Sequence, residues 1–195
     1  MGDDRTTDGG GGAGPEAIWA PWRLRYLETL GEDAPPDDGG AKRAGPKPGA
    51  ASAAGFLREY WAHPERDGSN HVLFRDDAGM ILLNKYPYAN GHLLVALGEA
   101  RPRLLDYEPG ARSRLWALVD RAMGLMERAI NPQGVNVGIN QGRAAGAGVP
   151  GHLHAHLVPR WGGDTNFMAS VGGVRVIPSS LEAMAGRYRA VLGPG

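Results

Sequence analysis

The stretch HLHAHLVPR, residues 152–160, sets histidine at every second position of an otherwise apolar run. Alternation with period two marks a β-strand, whose successive side chains point to opposite faces. Read this way, His152, His154 and His156 project from one accessible face, while Leu153, Ala155 and Leu157 turn toward a core. For a residue this rare, chance places three at such spacings in roughly three of 100,000 starts. A core explanation is poor, because three adjacent buried imidazoles would each need a partner. Two chemistries fit three facing histidines. One is metal ligation, as in three-His zinc sites. The other is nucleophilic catalysis by a neutral imidazole whose neighbours hold tautomer and protons.

The loop before the strand separates these two. GINQGRAAGAGVPG, residues 138–151, carries glycine at 138, 142, 146, 148 and 151. Such a loop exposes backbone N–H groups that cradle anionic oxygens. It offers no carboxylate ligand near the histidines, so phosphate beside a histidine nucleophile is the better pairing.

Outward from this motif the chain reads as an α+β meander, an antiparallel sheet with helices on one face. HVLFRDD (71–77) and GMILLNKY (79–86) form a hairpin around Asp77-Ala78-Gly79, and HLLVAL (92–97) follows the Asn90-Gly91 turn. Pro109 suits the first turn of a helix through Ile130, with Leu115, Leu118, Val119, Ala122, Met126 and Ala129 as its buried stripe. FLREYWAH (56–63) is a short helix and GVNVGIN (134–140) a strand. VRVIP (174–178) is read as a short edge strand, and Pro178 as the opening of a last helix, SSLEAMAGRYRAVL.

The N-terminal part differs in composition. Residues 1–14 read as a flexible tail and residues 31–54 as a disordered linker, since neither buries enough apolar surface to offset the entropy of ordering. Between them, residues 15–30 include IWAPWRLRYL, an aromatic segment expected to dock on the main body or on a second subunit. Residues 55–195 are the main domain with a C-terminal extension.

The 195 residues balance 21 Lys+Arg against 21 Asp+Glu and contain no cysteine. The neutral balance disfavours nucleic acid or an anionic membrane as the main partner. Lack of cysteine removes disulfides, a thiolate nucleophile and Cys-ligated zinc. No apolar run has the length of a membrane span, and the acidic, glycine-rich start is the reverse of a signal peptide, so a soluble cytoplasmic protein is expected.

H-L-H-A-H-L-V resembles the signature of the histidine-triad (HIT) nucleotide-binding superfamily. LLNKYPYANGHLLVA (82–96) is similar to the family's earlier hairpin, and residues 136–168 and 18–27 are similar to its bacterial diadenosine tetraphosphate phosphorylase branch. The resemblance implies a HIT fold, with a five-stranded antiparallel sheet and dimerisation into a continuous sheet. It makes His154 the nucleophile that attacks the α-phosphorus of a nucleotide, with His152 and His156 bonding phosphate oxygens or passing protons. Asn140 and the N–H groups of Gly146, Ala147 and Gly148 would hold phosphate, and Asn84 would bind ribose hydroxyls. His92 would support the triad from behind, and Trp161 would either stack on adenine or pack the dimer. His63 and His71 carry no motif and are read as surface or helix-end residues.

Two departures are informative. Where many bacterial members carry a Cys-x-x-Cys pair this chain has AAGFLRE (53–59), and EARPR (99–103) replaces a further histidine, so no metal site is expected. Gly148 and Val149 stand where hydrolase branches carry Gln and a hydroxyl residue. The resemblance therefore implies cleavage of diadenosine tetraphosphate with inorganic phosphate to ADP and ATP. A hydrolase of dinucleoside polyphosphates or nucleoside phosphoramidates, and a nucleotide-binding regulatory protein, are the alternatives. No cofactor is required beyond Mg²⁺ brought by the substrate, and the partners are nucleotide, phosphate and a second copy of the chain.

Overall fold

Short apolar runs pair from the centre of the chain outward. In the computed structural model, which describes residues 55–164 and 176–192, they are β1 (Val72–Arg75), β2 (Gly79–Leu83), β3 (Leu93–Leu97), β4 (Gly134–Ile139) and β5 (His154–Arg160). They form one sheet in the order β1-β2-β3-β5-β4, every pair antiparallel. The expectations for residues 1–14, 15–30 and 31–54 lie outside the described residues.

β2 and β3 are buried along their whole length, which is why they read as continuous apolar runs. On one face, Ile81, Leu83, Leu93, Val95, Leu97, Ala155 and Leu157 meet two helices. α2 (Pro109–Ile130) contributes Leu115, Leu118, Val119, Ala122 and Met126, and α3 (Leu181–Leu192) contributes Met184, Ala185 and Tyr188. On the other face, Met80, Leu82, Leu94 and Ala96 take Leu57 of α1 (Phe56–Ala62). The one-face expectation thus holds for α2 and α3, while the seven-residue α1, too short to show a stripe, covers the opposite face.

α1 is pinned at its C-terminal end. The Arg75 guanidinium donates to the carbonyls of Tyr60 and Trp61, at 2.7 and 2.9 Å, and forks onto the Asp67 carboxylate. These carbonyls lie in the last turn of the helix, where the Tyr60 oxygen also accepts the His63 N–H at 3.4 Å. Trp61 packs against Gly98 just past β3, where any Cβ would clash with the indole ring.

α2 runs between the residues its sequence marks. Pro109 occupies the first turn, and Asn131 closes the helix in the left-handed region at φ 44°. α3 starts later than expected: Ser180 caps it, its hydroxyl accepting the Ala183 N–H at 3.1 Å, so Pro178 lies outside. Residues 176–178 form no strand, correcting the edge-strand expectation for VRVIP so far as it is described. Among the described residues no strand pairs with them, and Pro178 has no N–H to donate. β4 is a sheet edge whose residues are mostly exposed. No helix among the described residues is long and apolar enough to cross a membrane.

Candidate functional site

His154 and His156 lie on the sheet face that α1 shares. They pair across β3 with Ala96 and Leu94, whose side chains belong to the cluster around Leu57. Ala155 and Leu157 point into the opposite core, as the alternation requires. His152 differs from expectation, because β5 begins at His154. A turn, in which the His152 N–H donates to the Val149 carbonyl at 3.2 Å, takes His152 out of the ladder. His152 is nonetheless buried at 2% exposure, beside His154 at 4% and His92 at 0%.

Hydrogen bonds fix the tautomers. A carbonyl accepts only, so His154 Nδ1, 2.8 Å from the His152 oxygen, carries the proton and leaves the Nε2 lone pair open. By the same logic His152 Nε2–H donates to the Leu97 carbonyl at 2.7 Å. Its buried Nδ1 has no donor among the described residues. On the far side, the Tyr88 N–H meets His92 Nδ1 at 3.1 Å. Asn84 accepts the Tyr86 N–H on Oδ1, so its Nδ2 is the group donating to the same His92 nitrogen at 3.2 Å. Two donors forbid a proton on that nitrogen. His92 Nε2–H therefore donates to His156 Nδ1 at 3.1 Å, and His156 presents Nε2–H. One face thus offers a lone pair on His154 and an N–H on His156, with ring centroids 4.8 Å apart.

Burial holds these imidazoles neutral. It is the largest influence lowering the pKa of His152 and His154, opposed at His154 by the bond to the His152 carbonyl. Burial, with His154 alongside, pushes His156 down to about 4. Near pH 7 the nucleophile candidate is unprotonated without needing a base.

The glycine loop is partly as expected. Gly142 and Gly146 turn at φ 84° and 83°, where side chains are strained. The expectation that Gly146 and Ala147 offer N–H groups to phosphate is corrected: they donate to the Arg143 and Gly142 carbonyls at 2.9 and 3.2 Å. The first of these bonds closes a 3₁₀ turn, and the second reaches back five residues across it. Gly148 opens onto free space, Val149 is buried, and Asn140 follows directly after β4. Asn84 holds the loop to His92. Trp161 lies just past β5, about 17 Å along the strand from His156, so the described structure does not bring it to the histidines.

His63 ends α1 and pairs with Glu65 at the surface, while His71 sits at φ 54° near Glu182. Tyr88 is a site residue that the sequence did not mark. Its ring stacks on His156 at 5.8 Å and 15° and leans on His92 at 4.9 Å. Its only signal was its place in the loop leading to His92. Among the described residues no group of three or more His, Cys, Asp or Glu side chains is disposed to hold a metal.

Known proteins resemble this chain in sequence and in fold. A family profile described as HIT domain matches residues 65–163. The AP-4-A phosphorylase of Mycobacterium tuberculosis is 35% identical over 167 residues, covering 86% of this chain and 79% of that protein. The asymmetrical bis(5'-nucleosyl)-tetraphosphatase of Schizosaccharomyces pombe is 33% identical over 91 residues, 47% of this chain and 50% of its own. A Zn-bound histidine triad family protein from Mycobacterium smegmatis superposes with a TM-score of 0.53 at 26% identity, covering 69% of this chain and 91% of that one. A hypothetical histidine triad nucleotide-binding protein from Sulfolobus tokodaii shares the fold with a TM-score of 0.55 at 24% identity, covering 68% and 89%. With the HIT domain profile matching residues 65–163 and a 35% identical relative covering 86% of the chain, the chain belongs to the HIT domain family.

Proposed function

We propose that this protein cleaves dinucleoside polyphosphates by nucleotidyl transfer through His154, with inorganic phosphate as the acceptor. The observation that carries the reading is the His154 tautomer. Nδ1–H is held by the His152 carbonyl, which leaves the Nε2 lone pair available to attack an electrophile.

In the first step a bond forms between His154 Nε2 and the α-phosphorus, and the bond from that phosphorus to the bridging oxygen breaks. The ring becomes a substituted imidazolium, whose positive charge the His152 carbonyl dipole stabilises at 2.8 Å. His156 Nε2–H donates to the departing oxygen, which leaves as a nucleoside polyphosphate. In the second step an oxygen of inorganic phosphate attacks the same phosphorus and releases the imidazole. Asn140 and the Gly148 N–H are the groups we assign to hold that phosphate. Water needs a positioning side chain, and Gly148 and Val149 provide none at the loop end. The 35% identity to the Mycobacterium tuberculosis AP-4-A phosphorylase supports the same choice. No step draws on a protein-bound metal, and Mg²⁺ enters with the polyphosphate. A second copy joining at the exposed β4 edge would extend the sheet.

Water as acceptor is the second reading, favoured by the likeness to the yeast tetraphosphatase. Product analysis with diadenosine tetraphosphate separates the two. ADP and ATP formed only with phosphate present is the expected outcome. AMP and ATP formed without phosphate would transfer the reading to a hydrolase.

A further inference from the structure

We propose that Tyr88 is a positioning residue for His156, its main-chain N–H and its ring together setting which nitrogen of His156 bears the proton and where that N–H points. The inference rests on the preceding reading only for what the His156 proton does, not for how it is placed.

Two independent contacts come from this one residue. The main-chain N–H meets His92 Nδ1 at 3.1 Å and, with Asn84, forces the His92 proton onto Nε2. His92 Nε2–H then occupies His156 Nδ1 at 3.1 Å. A hydrogen bond at one nitrogen still lets the His156 ring swing about that contact. The Tyr88 ring removes this freedom by lying nearly parallel to His156, at 15° and 5.8 Å, an offset stack. It also leans on His92 at 4.9 Å, so a single aromatic plate braces both rings of the relay. Tyr88 is 46% exposed, and its ring is stacked on the partly buried His156 imidazole.

The groups facing His156 are few. His154 precedes it on β5 with ring centroids 4.8 Å apart, and His92 and Tyr88 come from the loop before β3. Across the ladder stand Leu94 on β3 and Gly138 on β4, neither of them charged. Burial is the largest influence lowering the His156 pKa, and the stacked Tyr88 ring is one of the groups packed against that imidazole.

The test uses the full chain with Tyr88→Phe, Tyr88→Leu and Tyr88→Ala. Side-chain substitution leaves the main-chain N–H in place, so these variants isolate the ring. Nitrogen-15 NMR of histidine reads tautomer and titration directly. His156 is expected to titrate near 4 as the Nε2–H form in wild type and in Tyr88→Phe. In Tyr88→Ala it is expected to titrate closer to 6.5, with mixed tautomers and Tyr88→Leu in between. With diadenosine tetraphosphate and phosphate as substrates, kcat of Tyr88→Ala is expected to fall roughly tenfold or more while KM changes little, with Phe restoring it. An unchanged His156 tautomer and titration in Tyr88→Ala would overturn the proposal. If the NMR signature moves while kcat does not, Tyr88 positions His156 as proposed, and it is the hydrogen-bond-donor role of His156 toward the departing oxygen that fails.

Discussion

Acidification should destabilise this protein in a window that the triad sets, and His156→Asn should flatten that response. The His156 pKa is depressed from 6.5 to about 4, chiefly by burial. Above pH 6.5 the folded and unfolded states both hold the ring neutral, and no difference arises. Between 6.5 and about 4 the unfolded chain takes up a proton that the folded state resists, so stability falls with pH and levels off below. Each pH unit in that window is worth about 1.4 kcal/mol for a fully expressed shift. From pH 7 to pH 5 the ring therefore contributes about 2 kcal/mol at most, or about 1 kcal/mol after discounting a site that solvent still reaches. His152 and His154 push in the same direction. Asparagine at 156 keeps an oxygen near the place of Nδ1 to accept the His92 Nε2–H, and it does not titrate. Urea unfolding of wild type and variant at pH 7, 6 and 5, compared at constant m, provides the measurement. The stability gap between them should narrow by about 1–2 kcal/mol on going to pH 5. Parallel curves would show that His156 takes its proton as readily in the folded state as in the unfolded one, and the account of a triad held neutral by burial would fail.

Other consequences are independent of that titration. Gly98→Ala sets a methyl into the Trp61 indole and should cost about 1–3 kcal/mol in thermal or urea unfolding, with α1 the first element to lose hydrogen-exchange protection. Tyr188→Phe removes the buried donor to the Gly91 carbonyl, 2.7 Å away, and should cost about 1–2 kcal/mol by the same assays. Gly148→Gln fits open space at the loop end. It should raise the AMP-to-ADP ratio at fixed phosphate by giving water a partner, and an unchanged ratio in an active variant would remove the loop from acceptor choice. A strong chelator should leave the melting temperature unchanged, and a stoichiometric tightly bound zinc would contradict that.

Much of this architecture follows from local pattern. The extent of α2, from Pro109 to Ile130, was legible because proline fixes φ at a helix start and the apolar stripe has a helical period, while the left-handed Asn131 that closes it came from the structure. The faces of His154 and His156 were legible because strand alternation needs no tertiary information. His152 was misplaced because a turn two residues before the strand looks no different in sequence from continued alternation. The tautomers were not legible at all. They depend on the Leu97 carbonyl, 55 residues from His152, and on His92, 64 residues from His156. Seven residues of α1 with Phe56, Leu57, Tyr60 and Trp61 say that it is buried somewhere, not on which face. Likewise, a glycine-rich loop announces exposed N–H groups but not that its own carbonyls take two of them.

The stereochemical course at the α-phosphorus tests the nucleotidyl-histidine step most directly. With diadenosine tetraphosphate made chiral at that phosphorus, by sulfur substitution, and phosphate as acceptor, two successive in-line displacements each invert the centre. Net retention in the released nucleotide is the expected result, and it should vanish together with turnover in His154→Ala. Net inversion would mean that the acceptor attacks the substrate directly, and His154 would not be the nucleophile.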